Sequence, residues 1–469
     1  MSEAVATQQQ GQAGKYRPYP EYKDSGVEWL GIIPTHWSLH ALKRTVSDCS
    51  NGIWGDEPNG ESDLIVLRVA DFDRNKLTIS DDKLTYRSIS ERERKTRLLK
   101  KGDLLIEKSG GGEKTLVGCV VLFDKEYSAV TSNFVAKMSP REAFCSNFLS
   151  YAFSHLYAGR VNYPSIKQTT GIQNLDSESY LMEHFCFPDS SEQQTIAAFL
   201  DYETARIDRL IAKQQQLIEL LKEKRQEGIS HAVTKGLNPN APMKDSGVEW
   251  LGQVPEHWCV FRLKHLAAQM KAGPFGSSLT KDMYVSSGYK IYGQEQVIPG
   301  DFSIGDYYIS EDKYAELRQY AVKAGDILIS CVGTFGKIAV FPKDAQEGVI
   351  NPRLIKVSPT EVILPEFLEL VLRSQVAFEQ MTLFSRGGTM DVVNIGILSE
   401  IRVTVPPILE QKSLLSEVNI RVEQYDHLVN KAENTISLLK ERRTALISAA
   451  VTGKIDLRGW TPPADEVAA

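Results

Sequence analysis

A nine-residue string occurs twice without change, as Lys23-Asp-Ser-Gly-Val-Glu-Trp-Leu-Gly31 and as Lys244-Asp-Ser-Gly-Val-Glu-Trp-Leu-Gly252, 221 residues apart. Each string is followed by a proline, a histidine and a tryptophan at the same places: Pro34, His36 and Trp37, then Pro255, His257 and Trp258. A second pair of repeats lies 218 residues apart. Leu220-Leu-Lys-Glu-Lys-Arg225 returns as Leu438-Leu-Lys-Glu-Arg-Arg443, and Ile229-Ser-His-Ala-Val-Thr234 as Ile447-Ser-Ala-Ala-Val-Thr452. Two nearly equal offsets mean one internal duplication. Each copy carries an entry motif, a domain-sized region and a long charged segment.

The charged segment of the first copy, Ser190 to Gly236, has the pattern of one long helix. Ile196, Leu200, Ile207, Leu210, Leu217 and Leu221 recur in steps of three, four and seven, a heptad seam. Asp189 can cap its start, with Glu192 as the reciprocal acid of a capping box, and Gly236 is a natural stop. The second helix is predicted from about Leu409 to Val451, after Pro406-Pro407 and without an acidic cap. Its seam is Val418, Tyr425, Leu428, Ala432, Leu439 and Leu446. A helix of about 38 residues spans roughly 57 Å. Antiparallel pairing of the two would make the halves equivalent by a pseudo-twofold axis and place a mixed domain at each end of a rod. The polar seam positions Gln214 and Thr435 suit register control or a face for partner helices. A rigid strut with solvated charges is the plainer alternative.

Between motif and helix the chain is mixed. Strand-like runs are Leu64 to Val69, Leu104 to Ile106, Val117 to Phe123 and Ala129 to Met138, and a helix is expected around Ala143 to Leu156. The second copy has matching pieces: Lys101-Gly-Asp-Leu-Leu-Ile106 parallels Ala324-Gly-Asp-Ile-Leu-Ile329, and Lys137-Met-Ser-Pro140 parallels Lys356-Val-Ser-Pro359. By contrast, Asn51 to Gly60 and Lys271 to Ser278 lie at similar places and differ strongly. One scaffold is used twice with different loops mounted on it, which suits two related but unequal recognition tasks. Asp-Ser-Gly is turn chemistry, and the tryptophans of the entry motif are expected to pin each mixed domain against the long helices. The expected fold is α+β: two mixed globular domains separated by two long antiparallel helices. Its divisions are 1–19 a disordered tail, 20–188 the first mixed domain, 189–236 the central helix, 237–406 the second mixed domain, 407–455 the C-terminal helix and 456–469 a tail.

Composition closes off several function classes. A net charge of −6 speaks against a large exposed nucleic-acid surface borne by this chain alone. The six cysteines form no Cys-x-x-Cys pair and read as reduced core thiols of a cytoplasmic protein. Of the eight histidines only His36 and His40 stand at a ligand-like spacing, with no second His or Cys pair near them in sequence, so a zinc site is not expected, and no apolar run reaches the roughly 18 residues of a membrane span. Ser109-Gly-Gly-Gly-Glu-Lys-Thr115 fails as a phosphate loop, because Glu113 stands where a glycine must precede the lysine. It reads as a flexible basic loop or as a phosphate contact to nucleic acid. Asn162-Tyr-Pro-Ser165 matches an amino-methyltransferase signature only loosely and has no cofactor glycine loop before it. No nucleophile elbow, zinc-protease helix or dinucleotide fingerprint occurs.

The doubled entry motif resembles that of the specificity (S) subunits of type I restriction–modification systems. So do the Pro-x-x-x-Glu-Gln helix starts (Pro188, Glu192, Gln193; Pro406, Glu410, Gln411) and the Leu-Leu-Lys-Glu helix bodies. The resemblance covers about residues 20 to 455. It implies a non-catalytic subunit whose two mixed domains are target recognition domains, each reading half of a bipartite, asymmetric site in double-stranded DNA. It implies helices that pair antiparallel, set the half-site spacing and dock two adenine-methylating modification subunits, with restriction/translocase subunits joining that core. No cofactor is then expected on this chain; S-adenosylmethionine, ATP and Mg belong to the partners. Half-sites about one turn apart, roughly 34–36 Å, are closer than the rod is long, so the readers must reach inward or the DNA must bend.

Residue chemistry nominates the DNA contacts: Lys108, Lys114, Arg160, Lys167, Gln168, Gln173 and Asn174 in the first domain, and Ser277, Ser278, Lys281, Gln294, Gln296, Arg386, Thr389 and Asn394 in the second. Arginine suits guanine, Gln and Asn suit adenine, and lysine suits phosphate. Asn174 and Asn394 are taken as equivalent places in the two copies, where a structural turn rivals base reading. The helix-partner interface is assigned to Leu200, Ile207, Leu210, Leu217, Leu221, Val418, Tyr425, Leu428, Leu439 and Leu446. Two other readings stay open: a coiled-coil adaptor that binds only proteins, and a DNA methyltransferase with an unfamiliar site.

Overall fold

The structure, a computed structural model, describes residues 16–111, 115–169, 171–331, 337–385 and 393–463. It divides into two units: Met1–Gln215 with Asn434–Ala469, and Gln216–Glu433. Both long helices are continuous, Ser190–Lys235 and Ile408–Val451, and each contributes one half to each unit.

In the first unit the entry motif forms a hairpin, Tyr22–Asp24 against Ile32–Pro34. Its tip is held by its own side chains: Asp24 Oδ1 accepts the Gly26 N–H at 2.9 Å and Ser25 Oγ accepts the Val27 N–H at 3.1 Å. Strand Ser38–Ala41 then pairs antiparallel with His184–Phe187, so the start of the unit closes on its end. The central sheet has the order Val120–Leu122, Leu104–Glu107, Val135–Pro140, Val46–Asn51, all antiparallel. Residues Leu104–Ile106 of its middle strand are apolar throughout because both faces are covered. Leu104 and Ile106 enter the main core with Phe148, Leu149 and Ala152 of helix Ser146–Ala158, while Leu105 enters a second core with Ile65 and Leu67. A three-stranded sheet supplies that second layer: Ala129–Thr131 parallel to Asp63–Leu67, which pairs with Thr85–Ser88. The apolar stretch 129–138 is therefore two strands in different sheets, turned at Ser132–Phe134.

The second unit repeats this plan. Hairpin Met243–Asp245 with Gln253–Pro255 leads to strand Cys259–Arg262, which pairs with Arg402–Val405. The central sheet runs Ala267–Ala272, Leu354–Pro359, Ile327–Ser330, Ile338–Val340. Ile327 and Ile329 again face one core and Leu328 another.

Within each unit the helix halves run antiparallel. In the first, Ile196 and Leu200 share a core with Ala450 and Val451, and Asp208 pairs with Arg443. In the second, Arg225 pairs with Asp426, and Val233 shares a core with Leu414. The helices have 46 and 44 residues, and their ends lie within one residue of the bounds expected from the sequence.

Four expectations change. Leu210, Leu217 and Leu428 are more than two-fifths exposed and lie off the seam. The less exposed side runs through Leu200, Thr204, Ile207, Ile211, Gln214, Ile218 and Leu221, alternating steps of four and three. Polar residues on that line hid it: Thr204 satisfies its hydroxyl by donating to the Leu200 carbonyl at 2.6 Å. Leu200, Ile207 and Val418 are buried, and Leu221, Tyr425, Leu439 and Leu446 are half-buried.

The first helix has half a capping box. Asp189 Oδ1 accepts the Glu192 N–H at 2.8 Å, but the Glu192 carboxylate turns inward. It accepts from the Tyr19 hydroxyl at 2.5 Å and from Trp37 Nε1 at 3.2 Å, and meets His36 Nε2 at 2.9 Å.

The two ends are packed where tails were expected. Tyr19 is buried, Leu457 is buried, and Trp460 packs edge-on against Phe199. The Asp456 N–H donates to the Arg17 carbonyl at 2.7 Å.

Of the entry-motif tryptophans, Trp37 and Trp258 are fully buried, whereas Trp29 and Trp250 are about two-fifths exposed.

Candidate nucleic-acid interface

In the first unit several chain reversals meet at one end of the central sheet. Strand Val46–Asn51 leaves the sheet at Gly52, whose N–H donates to the Val135 carbonyl at 3.0 Å. No larger residue fits there: a Cβ on Gly52 would lie 2.1 Å from the Thr131 carbonyl oxygen. Lys108 follows the middle strand directly. Its N–H donates to the Phe134 carbonyl at 2.8 Å, and its Nζ reaches Asn51 Oδ1 at 2.8 Å. Ser109 Oγ donates to Asn174 Oδ1, which ties in the hairpin Ile166–Thr169 with Ile172–Leu175. Asn51, Lys108, Ser109, Phe134, Gln168 and Asn174 thus gather around one edge, with Phe134 exposed.

Behind this edge sits a partly buried ion pair. Glu107, fully buried, takes Arg74 Nη1 at 2.8 Å. Burial disfavours the Arg74 guanidinium charge, and the Glu107 carboxylate more than restores it, so the Arg74 pKa is raised. The corresponding strand end in the second unit is neutral: Gln294 Nε2 donates to Ser330 Oγ at 2.7 Å. Around it lie Gly273, whose N–H donates to the Leu354 carbonyl at 2.9 Å, and Cys331, whose N–H donates to Arg353 at 3.0 Å. Ser277, Ser278 and Lys281 are exposed just beyond Gly273.

The nominated residues therefore divide. Lys108, Gln168, Asn174, Gln294, Ser277, Ser278 and Lys281 lie on or next to these strand-end clusters. Lys167 is exposed on the same hairpin but donates to Asp176 Oδ2 at 2.9 Å, and that hydrogen bond holds the Asp176 carboxyl below its ordinary value. Gln173 is buried, and its Oε1 accepts the Val117 N–H at 3.0 Å. Gln296 is fully buried; Oε1 accepts the Gly293 N–H at 2.8 Å, and Nε2 donates to Glu295 and to the Ile304 carbonyl. Both glutamines satisfy internal groups, so base reading is withdrawn for them.

Arg160 ends helix Ser146–Ala158 with φ +56°, its N–H donating to the Tyr157 carbonyl, and its side chain is exposed. Asn394 caps helix Ile395–Glu400, Oδ1 accepting the Ile397 N–H at 2.9 Å. Its counterpart in the first unit is Asp176, the cap of helix Ser177–Tyr180, and not Asn174. Lys114, Arg386 and Thr389 lie outside the described residues.

Asn51, Ser109, Phe134 and Arg353 were missed. Phe134 and Arg353 follow the parallel strand at the same place in each copy, so the repeat alignment could have found them.

Among the described residues, no group of three or more His, Cys, Asp and Glu side chains is placed to hold a metal ion, and no helix is long and apolar enough to cross a membrane. The edges are built to offer hydrogen bonds, apolar contact and a few positive charges to a surface laid across them.

Comparison with known proteins gives a consistent answer. The model of the "Type I restriction modification DNA specificity domain" matches residues 66–220 and 255–434. The type I restriction enzyme EcoKI specificity subunit of Escherichia coli (strain K12) is 22% identical over 361 residues, covering 75% of each chain. A chain from a structural study of complex assembly and conformational transition in a type I R-M system superposes with a TM-score of 0.67 at 13% identity, over 89% of this chain and 98% of that one. The crystal structure of the HsdS subunit from Thermoanaerobacter tengcongensis gives 0.52 at 15% identity, over 92% and 100%.

Proposed function

Because the chain belongs to the type I restriction–modification DNA specificity family, we propose that it is the DNA sequence-recognition subunit of such a complex, each unit reading one half of a bipartite, asymmetric site. The observation that carries this is the pair of strand-end clusters. They occupy the same place on one repeated scaffold, around Lys108 and Asn174 in one unit and around Gln294 and Ser277 in the other, with different side chains. A shared frame with unlike surfaces is what two unlike half-sites require.

The chain supplies address and leaves the chemistry to its partners. Two modification subunits dock on the long helices and methylate adenines, and restriction/translocase subunits join that assembly. S-adenosylmethionine, ATP and Mg are bound by those partners, in the cytoplasm. Partner subunits also account for how a chain of net charge −6 holds DNA, since they supply much of the phosphate grip. The helices set the half-site spacing.

The test is to map methylated adenines in DNA from cells expressing this chain with its modification partner. A two-part motif is expected. Exchanging residues 271–281 for another loop should change one half of that motif only. A one-part motif, or methylation by this chain alone, would overturn the reading.

A further inference from the structure

The loops that leave the two central sheets diverge almost completely, yet one pattern survives in both: Gly52-Ile-Trp54-Gly55 and Gly273-Pro-Phe275-Gly276, at the 221-residue offset of the entry motif. The glycines show why the backbone is kept. A Cβ on Gly273 would lie 1.9 Å from the Asn351 carbonyl oxygen, as tight as the contact at Gly52. Gly55 and Gly276 both take left-handed backbone, φ +70° and +62°. Nothing in that geometry requires an aromatic between them. Both copies nevertheless present one to solvent, Trp54 at 39% exposure and Phe275 at 72%. The Arg87 guanidinium lies 4.9 Å from the Trp54 ring and is itself paired with Glu57 at 2.7 Å, so that ring is held in place while still open to solvent. Each aromatic adjoins its unit's reading edge: Asn51, the partner of Lys108, is three residues before Trp54, and Ser277 is two residues after Phe275.

We propose that Trp54 and Phe275 are sequence-independent DNA contacts, one per half-site, whose rings stack on bases at a locally opened step. The inference rests on the DNA-reading function proposed above. What two readers of unlike sequences share cannot be what tells their sequences apart, so a side-chain class kept amid divergent neighbours belongs to something every half-site offers. Base faces are such a feature, because any base presents a π surface. Apolar side chains entering a base step unstack it and deform the duplex, which lets more of the protein meet the DNA. The occurrence of Trp in one copy and Phe in the other fits stacking, which asks for a flat ring and no particular hydrogen bond.

The experiment uses the complex of this chain with its modification partner and a duplex carrying its mapped site, with 2-aminopurine placed at successive positions in each half. Trp54→Ala and Phe275→Ala are each expected to weaken binding tenfold or more with the dependence on salt unchanged. Each should abolish the change in 2-aminopurine fluorescence at the step its ring enters, in its own half-site alone, and Trp54→Phe and Phe275→Trp should retain both properties. Alanine variants that bind as wild type would overturn the proposal. So would losses spread equally over both halves with a lowered melting temperature, because the rings would then be packing elements. A wild-type complex that binds no site would sink the DNA-reading function itself; wild-type binding with indifferent variants sinks only this inference.

Discussion

Arg225 Nε lies 3.2 Å from Asp426 Oδ1, and the same pair recurs 218 residues along, with Arg443 Nε 3.3 Å from Asp208 Oδ1. The contact is reciprocal between the two copies: each arginine meets the aspartate of the other repeat, as residues do across a self-complementary interface. Exposure separates the two pairs. Arg225 and Asp426 are 33% and 53% exposed, against 12% and 29% for Arg443 and Asp208. Double-mutant cycles with alanine should therefore give a coupling of no more than about 0.5 kcal/mol at Arg225–Asp426 and about 1 kcal/mol at Arg443–Asp208. Urea unfolding of the four variants of each cycle measures this. Equal couplings would mean that burial does not control the pairing.

The seam makes a sharper prediction, because neighbouring residues differ in fate. Ile218 is buried and Leu217 is 42% exposed. Ile218→Ala should cost about 2–4 kcal/mol through lost apolar contact and a cavity, whereas Leu217→Ala should cost under about 1 kcal/mol. Thermal and urea midpoints read the difference. A larger loss at Leu217 would restore the seam drawn from the apolar period.

What could be read from the chain, and what could not, follows from the same physics. The duplication exposed the two scaffolds, since identical turns and apolar central strands leave marks in one dimension. The runs Leu104–Ile106 and Ile327–Ile329 are apolar throughout because both faces are buried, a condition local to each strand. The seam is displaced from the apolar period because Thr204 lies along it, and an apolar period cannot show a polar residue that satisfies itself within the helix. Gln173 and Gln296 look solvent-facing in sequence because they are polar and lie near turns; in the fold Gln173 accepts the Val117 N–H from a distant part of the chain, while Gln296 turns back on the Gly293 N–H that begins its own short helix. Asn174 was matched to Asn394 by residue type, while capping geometry matches Asp176 to Asn394, two residues along.

His155 gives a pH dependence. It lies among apolar rings, 6.2 Å from Phe185 and 6.4 Å from Trp29 between centroids, and burial lowers its pKa from 6.5 to about 4. Between those values the unfolded chain takes a proton that the folded chain refuses. Stability attributable to this residue is therefore constant above pH 6.5 and falls as pH drops toward 4, by about 3 kcal/mol in all. His155→Phe should remove that slope. The comparison is the difference in unfolding free energy between variant and wild type from pH 7 to 4.5, which should grow in favour of the variant on acidification. A difference independent of pH would show that His155 is not held neutral.

Lys108, just past strand Leu104–Glu107, and Gln173, on strand Ile172–Leu175, flank one edge and should fail in different ways. Lys108 is partly exposed, and its Nζ is held by Asn51 at 2.8 Å at the end of the middle strand, placed to meet a phosphate or a base edge. Lys108→Ala should leave unfolding unchanged within about 0.5 kcal/mol and weaken binding of the complex to its DNA site. If Nζ meets a phosphate, the slope of log K against log salt should fall by about one and the weakening should be uniform across sequences. If it meets a base, the methylation pattern should relax in one half-site. Gln173→Ala leaves the buried Val117 N–H without its acceptor. It should cost about 1–3 kcal/mol of stability while leaving the salt slope and the site unaltered. Reversal of the two phenotypes, with Gln173 governing DNA binding and Lys108 governing stability, would contradict the placement of the reading edge.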